Sequence, residues 1–312
     1  MRFRLPLLIA ASLIALPAFS QTNPGPFTVE ESGQSFARLQ EAVDAIGGRR
    51  GTIRIAPGLY RDCAVVEQGA VAFVADVPGK SVFEGVVCED KASLVLRGES
   101  ARVDGLVFTG LFVDDGNGAG IRLEEGDLAV SNAMFLDSQS GILTAAFPSG
   151  RLSIDRSSFA GLGKDPTGNG AHSVYVGGYG SVKVTRSRFE RGVGGHYLKS
   201  RAAAVEITDN SFDDSKGNDT NYLIDLPNGA SGRIAGNSFA QGPNKRNYST
   251  LITIAPEGVE HPSSGLVIEN NRAWLSPQFE HRTTFVGNWS GEAVTMRGNE
   301  LADRITPYED RD

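Results

Sequence analysis

The chain has 312 residues and a formal charge of −7, so bulk charge does not draw it to nucleic acid or acidic membrane, and an anionic ligand would need a local basic patch. Two cysteines, Cys63 and Cys88, exclude a scaffold built on disulfides. The 38 glycines are spread along the chain and exceed an average share of about 7 %, as many regularly placed turns would require.

In chain order, "MRFR" is a basic lead, "LPLLIAASLIALPAF" is apolar, and Ala18 and Ser20 give a small-x-small end before Gln21. This predicts a secretory signal peptide over residues 1–20, removed near Ser20, and a secreted or periplasmic protein. The apolar run is shorter than the roughly 20 residues a membrane span needs, and none comparable follows. Residues 21–312 are expected to form one domain, a monomer without a membrane span. In "SFARLQEAVDAI", Phe36, Leu39, Val43 and Ile46 recur at helical spacing and Ser35 can cap the first turn, which predicts a short amphipathic helix closing one end of an apolar interior. "GTIRIAPGLYRD" reads as strand, Pro-Gly turn and strand. In an oxidising compartment Cys63 and Cys88, 25 residues apart, can form one bridge.

From there the chain repeats. "VDGLVF", "VSNAMF", "IDRSSF", "VTRSRF", "ITDNSF" and "IAGNSF" end on Phe108, Phe135, Phe159, Phe189, Phe212 and Phe239, and the weaker "IENNRA" and "MRGNEL" end on Ala273 and Leu301. Short apolar segments fenced by Gly, Asn, Asp and Pro precede each of these, too short for helices and alternating in polarity. Two or three strands per repeat with uneven turns predict an all-β fold, a parallel β-helix (solenoid) with a short N-terminal capping helix. Asn210, Asn237, Asn271 and Asn299 fall two places before the closing position, where stacked amides can form a ladder that Ser157 and Ser187 continue. The tail after Trp289 is polar and predicts a frayed last coil. The segment "FARLQEAVDAIGGRRGTIRIAPGLYRD" resembles the opening of the pectin-lyase-like right-handed β-helix superfamily. That superfamily includes lyases, epimerases, hydrolases, esterases and adhesins.

The repeats also serve as a ruler. Counted back from the closing Phe, Val176 and Lys199 take equivalent places, and one inserted residue in the following turn puts Asp225 over Lys199. Alternation then places Ile121, Leu123, Tyr175, Leu198, Ser200, Ile224 and Leu226 inside. His172, Val174, Val176, Tyr197, Lys199, Arg201, Asn221, Leu223 and Asp225 fall on the outer face, and His196 faces inward or into the bend. Between Lys183 and Arg201 lie six basic residues, with Arg186, Arg188 and Arg191 among them, against Glu190 alone. Such an island suits an acidic, uronic-acid polysaccharide.

Cleaving such a polymer by elimination requires removal of the C5 proton, a cation for the developing enolate and an acid for the leaving O4. Lys199 is the candidate base, Arg201 the carboxylate binder, and His172 a base or carboxylate partner. Tyr175 or Tyr197 can serve the leaving group, Asp225 can orient Lys199, and His196, Asn221 and Arg188 complete the candidates. Replacing the proton from the opposite ring face would make the same site a C5-epimerase. "AHSVYV" and "GHYLKSR" are similar to the His, Lys and Arg coils of β-helix alginate epimerases and of alginate and chondroitin lyases. This resemblance implies proton transfer at His172 with Lys199 and Arg201 as base and charge neutraliser, although the Asp-Pro-His-Asp signature is replaced by Gly-Ala-His-Ser. The alternatives are a glycoside hydrolase using Asp213 and Asp214, or a noncatalytic glycan-binding or envelope β-helix. No cofactor is assured, and no metal ligand set is assigned. Calcium is possible at Asp114, Asp115 and Asn117 or at Asp213, Asp214 and Asp219.

Overall fold

A computed structural model describes Met1 and residues 25–168 and 170–312. The expected signal peptide lies outside the described residues apart from Met1. Among the described residues, short strands follow one another three to a coil and stack into sheets of twelve, ten and ten strands. The result is an all-β parallel solenoid of about nine turns. The sheet pairings are parallel except where Phe27–Val29 meets Gln34–Phe36 and Arg50–Ile55 at the start of the first sheet. No helix among the described residues is long and apolar enough to cross a membrane.

The bend from the first sheet to the second explains much of the composition. Its leading residue has a positive φ in coil after coil, at Asn132, Arg156, Arg186, Asp209, Gly236, Asn270 and Gly298. Glycine reaches this region without a Cβ clash, and Asn and Asp at small cost. The next residue points into the solenoid and carries the predicted ladder. Asn210 Nδ2 donates to Asn237 Oδ1, Asn237 to Asn271 and Asn271 to Asn299, at 2.9–3.0 Å. Each amide also donates to a carbonyl of the preceding coil, as Asn237 does to Ile207 O at 2.8 Å. Ser187 and Ser157 extend the column through hydroxyls that accept backbone N–H groups.

The closing phenylalanines form a column in the interior. Rings from Phe83 to Phe239 stack at 4.7–5.7 Å, one per coil. Ala273 and Leu301 hold the same register in the last coils. The tail is ordered, contrary to the frayed end expected: Thr295–Arg297, Glu300–Leu301 and Ile305–Asp310 add a strand to each sheet.

Helix α1 spans Leu39–Ile46 and buries Leu39, Ala42, Val43 and Ile46. Its first turn is capped from afar, because the Asp62 carboxylate accepts the Leu39 N–H at 2.9 Å. Ser35, expected as the cap, lies instead in a strand, where its hydroxyl meets Thr28 Oγ1 at 2.8 Å. Cys63 and Cys88 are joined by a disulfide.

Candidate functional site

The outer face of the third sheet carries the candidate site, on the strands Val174–Val176, Leu198–Ser200, Ile224–Leu226 and Thr250–Ile254. Tyr175, Lys199, Asp225 and Thr253 hold one position across four coils. The expected stacking of Asp225 on Lys199 is present, but Tyr175 rather than Val176 stands under Lys199. The reason is one extra residue in the turn Gly177–Gly180, four residues where the next coil uses Arg201–Ala203. Tyr175 therefore faces outward, and Val174 and Val176 are buried in the core.

Beside this column runs a row of rings. His196 lies between His172 and Tyr222, with centroids at 5.0 and 5.4 Å. Nδ1 of His172 accepts the His196 N–H at 3.1 Å, and Nδ1 of His196 accepts the Tyr222 N–H at 3.2 Å. Burial, then the Lys199 and Lys245 cations, push His196 down to about 3. Burial, then His196 and Lys199, hold His172 well below the usual imidazole range. Both rings are thus neutral at pH 7 and carry their hydrogen on Nε2. His172 therefore presents a hydrogen-bond donor at Nε2. His196 turns its Nε2 toward Asp225 Oδ2, 3.5 Å away, and so belongs to the site.

Lys199 Nζ lies 3.2 Å from Asp225 Oδ2 and 2.5 Å from Glu257 Oε1. Burial raises Asp225 above the usual carboxylate range in spite of Lys199, and its other oxygen accepts the Thr253 hydroxyl at 2.6 Å. Arg201 uses three edges: Nε donates to the Tyr175 hydroxyl at 3.0 Å, Nη1 to Asn228 and Nη2 to Glu257. Burial works against ionisation of Glu257, yet the Lys199 and Arg201 hydrogen bonds outweigh it and lower its carboxyl. Glu257 comes from the turn after Thr250–Ile254, where Ala255 takes a φ of 56° and folds the chain back over the face. Glu257 and Thr253 were missed from sequence because they belong to the coil after Asp225, and Asn228 because it lies in a turn, beyond the strand alternation. The one available signal was an acidic residue at a fixed distance past a strand that stacks on Asp225.

Three expected members are elsewhere. Tyr197 is buried at the corner between the second and third sheets, donating to Asp214 Oδ1 at 2.8 Å and accepting the Gly192 N–H at 2.9 Å. Asp214 also meets Lys245 Nζ at 3.0 Å, and both side chains are 0 % exposed. Tyr197 therefore belongs to a closed structural knot, and so does the Asp214 considered for hydrolysis. Arg188 lies on the second sheet against Glu190. Asn221 sits at the corner beside Tyr222, with its Oδ1 buried and unpartnered. The basic island is also dispersed: Lys183 pairs with Glu206 and Arg186 with Asp155 on the first sheet, leaving Lys199 and Arg201 together on the third. Of the suggested calcium ligands, Asp115 accepts the Asn117 N–H and Asp219 pairs with Arg246. Among the described residues, no three His, Cys, Asp or Glu side chains are grouped to hold a metal.

The three sheets, the phenylalanine column and the asparagine ladder define a parallel β-solenoid. No protein-family model matches the chain, and no curated protein is similar to it in sequence. Among solved structures, it is similar to PfbA, a surface adhesin of Streptococcus pneumoniae, at 13 % identity and TM-score 0.47, covering 87 % of this chain and 89 % of the adhesin. It is similar to an alginate lyase of Paenibacillus sp. at 16 % identity and TM-score 0.44, covering 87 % of this chain and 94 % of the lyase. It also matches ORF18 of Geobacillus virus E2 at 12 % identity and TM-score 0.46, over 87 % of this chain but only 57 % of the viral one.

Proposed function

We propose that this is an exported, monomeric, carbohydrate-active protein that acts on an acidic uronic-acid polysaccharide through the third-sheet site, by C5 proton abstraction with elimination favoured over epimerisation. In this reading residues 21–312 form one β-helix domain, α1 covers the end of its core, and the disulfide suits an oxidising compartment. One observation carries the reading: Lys199 and Arg201 converge on a single carboxylate, that of Glu257, as they would on a uronate.

With a uronate in that place, Arg201 holds its carboxylate and offsets the charge of the enolate, with Lys199 beside it. Lys199, in its unprotonated form, takes the C5 proton, the C5–H electron pair becomes the C4–C5 double bond, and the C4–O4 bond breaks. The Tyr175 hydroxyl, held by Arg201, protonates the departing O4, and His172 donates its Nε2–H to the ligand.

The test is a screen of uronic-acid polymers with wild type, Lys199→Ala and His172→Ala, following ultraviolet absorbance of unsaturated ends and solvent exchange at C5. Wild type should generate absorbance with one polymer class, and Lys199→Ala should lose it by at least about 100-fold, the scale of a removed proton-transfer group. Neither absorbance nor C5 exchange with any polymer would overturn the reading and leave binding alone.

A further inference from the structure

We infer that Glu257 is a displaceable stand-in for the ligand's anionic group, so that the Lys199–Arg201 fork admits only ligands that bring an oxyanion of their own. The inference rests on the proposed reading of the site and names what governs entry to it. Each Glu257 oxygen meets a different cation, Oε1 Lys199 and Oε2 Arg201. The fork does not depend on Glu257 for its shape, because Tyr175 and Asn228 fix Arg201 from its other edges and Asp225 holds Lys199 from below.

The way out is open on one side. The Glu257 side chain is 43 % exposed, whereas those of Lys199 and Asp225 are 10 % and 2 % exposed. The backbone around it is tied down: Ala255 N–H donates to Leu226 O at 2.8 Å, Glu257 N–H to Pro227 O at 3.0 Å and Glu260 N–H to Asn228 O at 3.0 Å. Departure is therefore a side-chain rotation and needs no opening of the loop. With Glu257 seated, the two cations face two carboxylates; with it turned away, the face holds one uncompensated positive charge. A neutral sugar cannot replace charge-assisted bonds at this fork, whereas exchanging one oxyanion for another nearly conserves them.

The measurement is calorimetric binding of glucuronate, inorganic sulfate and a neutral tetrasaccharide to wild type, Glu257→Gln, Glu257→Ala and Arg201→Ala/Glu257→Gln, with melting curves to confirm folding. If Glu257 fills the fork about nine-tenths of the time, its removal raises anion affinity about tenfold. Glu257→Gln and Glu257→Ala should show that gain for glucuronate and sulfate, the double variant should lose it, and the neutral sugar should show no change. No gain in either single variant, whether all forms bind or none does, overturns the inference. A gain without conversion of any uronic-acid polymer keeps this inference and overturns the catalytic reading. Conversion by wild type without a gain does the reverse.

Discussion

His196 is neutral because it is buried beside two lysines, and that has a sign that can be measured. Between pH 6.5 and about 3 the unfolded imidazole binds a proton that the folded one refuses, so its contribution to stability is complete above 6.5 and lost as pH falls through that window. The melting temperature of wild type should therefore fall more steeply from pH 7 to pH 4 than that of His196→Gln; parallel curves would contradict this. Lys245 should show a related cost. Lys245→Met leaves the Asp214 carboxylate buried and unpaired, expected to cost about 3–5 kcal/mol in urea unfolding, and Asp214→Asn added to it should recover most of the loss. Lys199 and Arg201 were legible as a pair because they share one strand face. Tyr197 was not, because alternation fails at a corner, where the chain leaves the strand and its hydroxyl can turn under the next loop.

At the scale of the repeating elements, the sequence was most informative where one residue type returns at one offset. The phenylalanine repeat and the amide ladder were readable because each coil uses the same bend with the same left-handed residue before it. Asn237→Ala should be much costlier than the exposed asparagines of the loops. It removes bonds to Ile207 O and Asn271 Oδ1 and strips Asn210 of its acceptor, an expected loss of about 3 kcal/mol in denaturant unfolding. Ser157→Ala, which removes one acceptor hydroxyl, should cost about 1 kcal/mol. The misplacement of Tyr175 has the same origin as these successes. Counting from the closing Phe carries any extra turn residue into the preceding strand, and the extra residue in Gly177–Gly180 moved that strand by one place and exchanged its faces.

Across the whole molecule, nearness in sequence and nearness in space part company. Lys183, Arg188 and Lys199 are close along the chain but point from three different sheets, while Lys199 and Glu257, 58 residues apart, touch. A basic run is for that reason a poor guide to a patch in a solenoid, and strand equivalence is a good one. The disulfide belongs to this scale too. It closes a separation of 25 residues near the N-terminal end, and Cys63→Ser/Cys88→Ser should lose about 3 kcal/mol. Because several coils separate the disulfide from the site, glucuronate affinity in the Glu257→Gln background should be unchanged by that loss. Phe108 and Phe135 hold the same place in adjacent coils, so a deletion from residue 109 through 135 would rejoin the chain in register. Length in this molecule is thus a counted quantity, added or removed in whole turns by duplication or excision, with the His172-to-Glu257 block carried along intact as cargo.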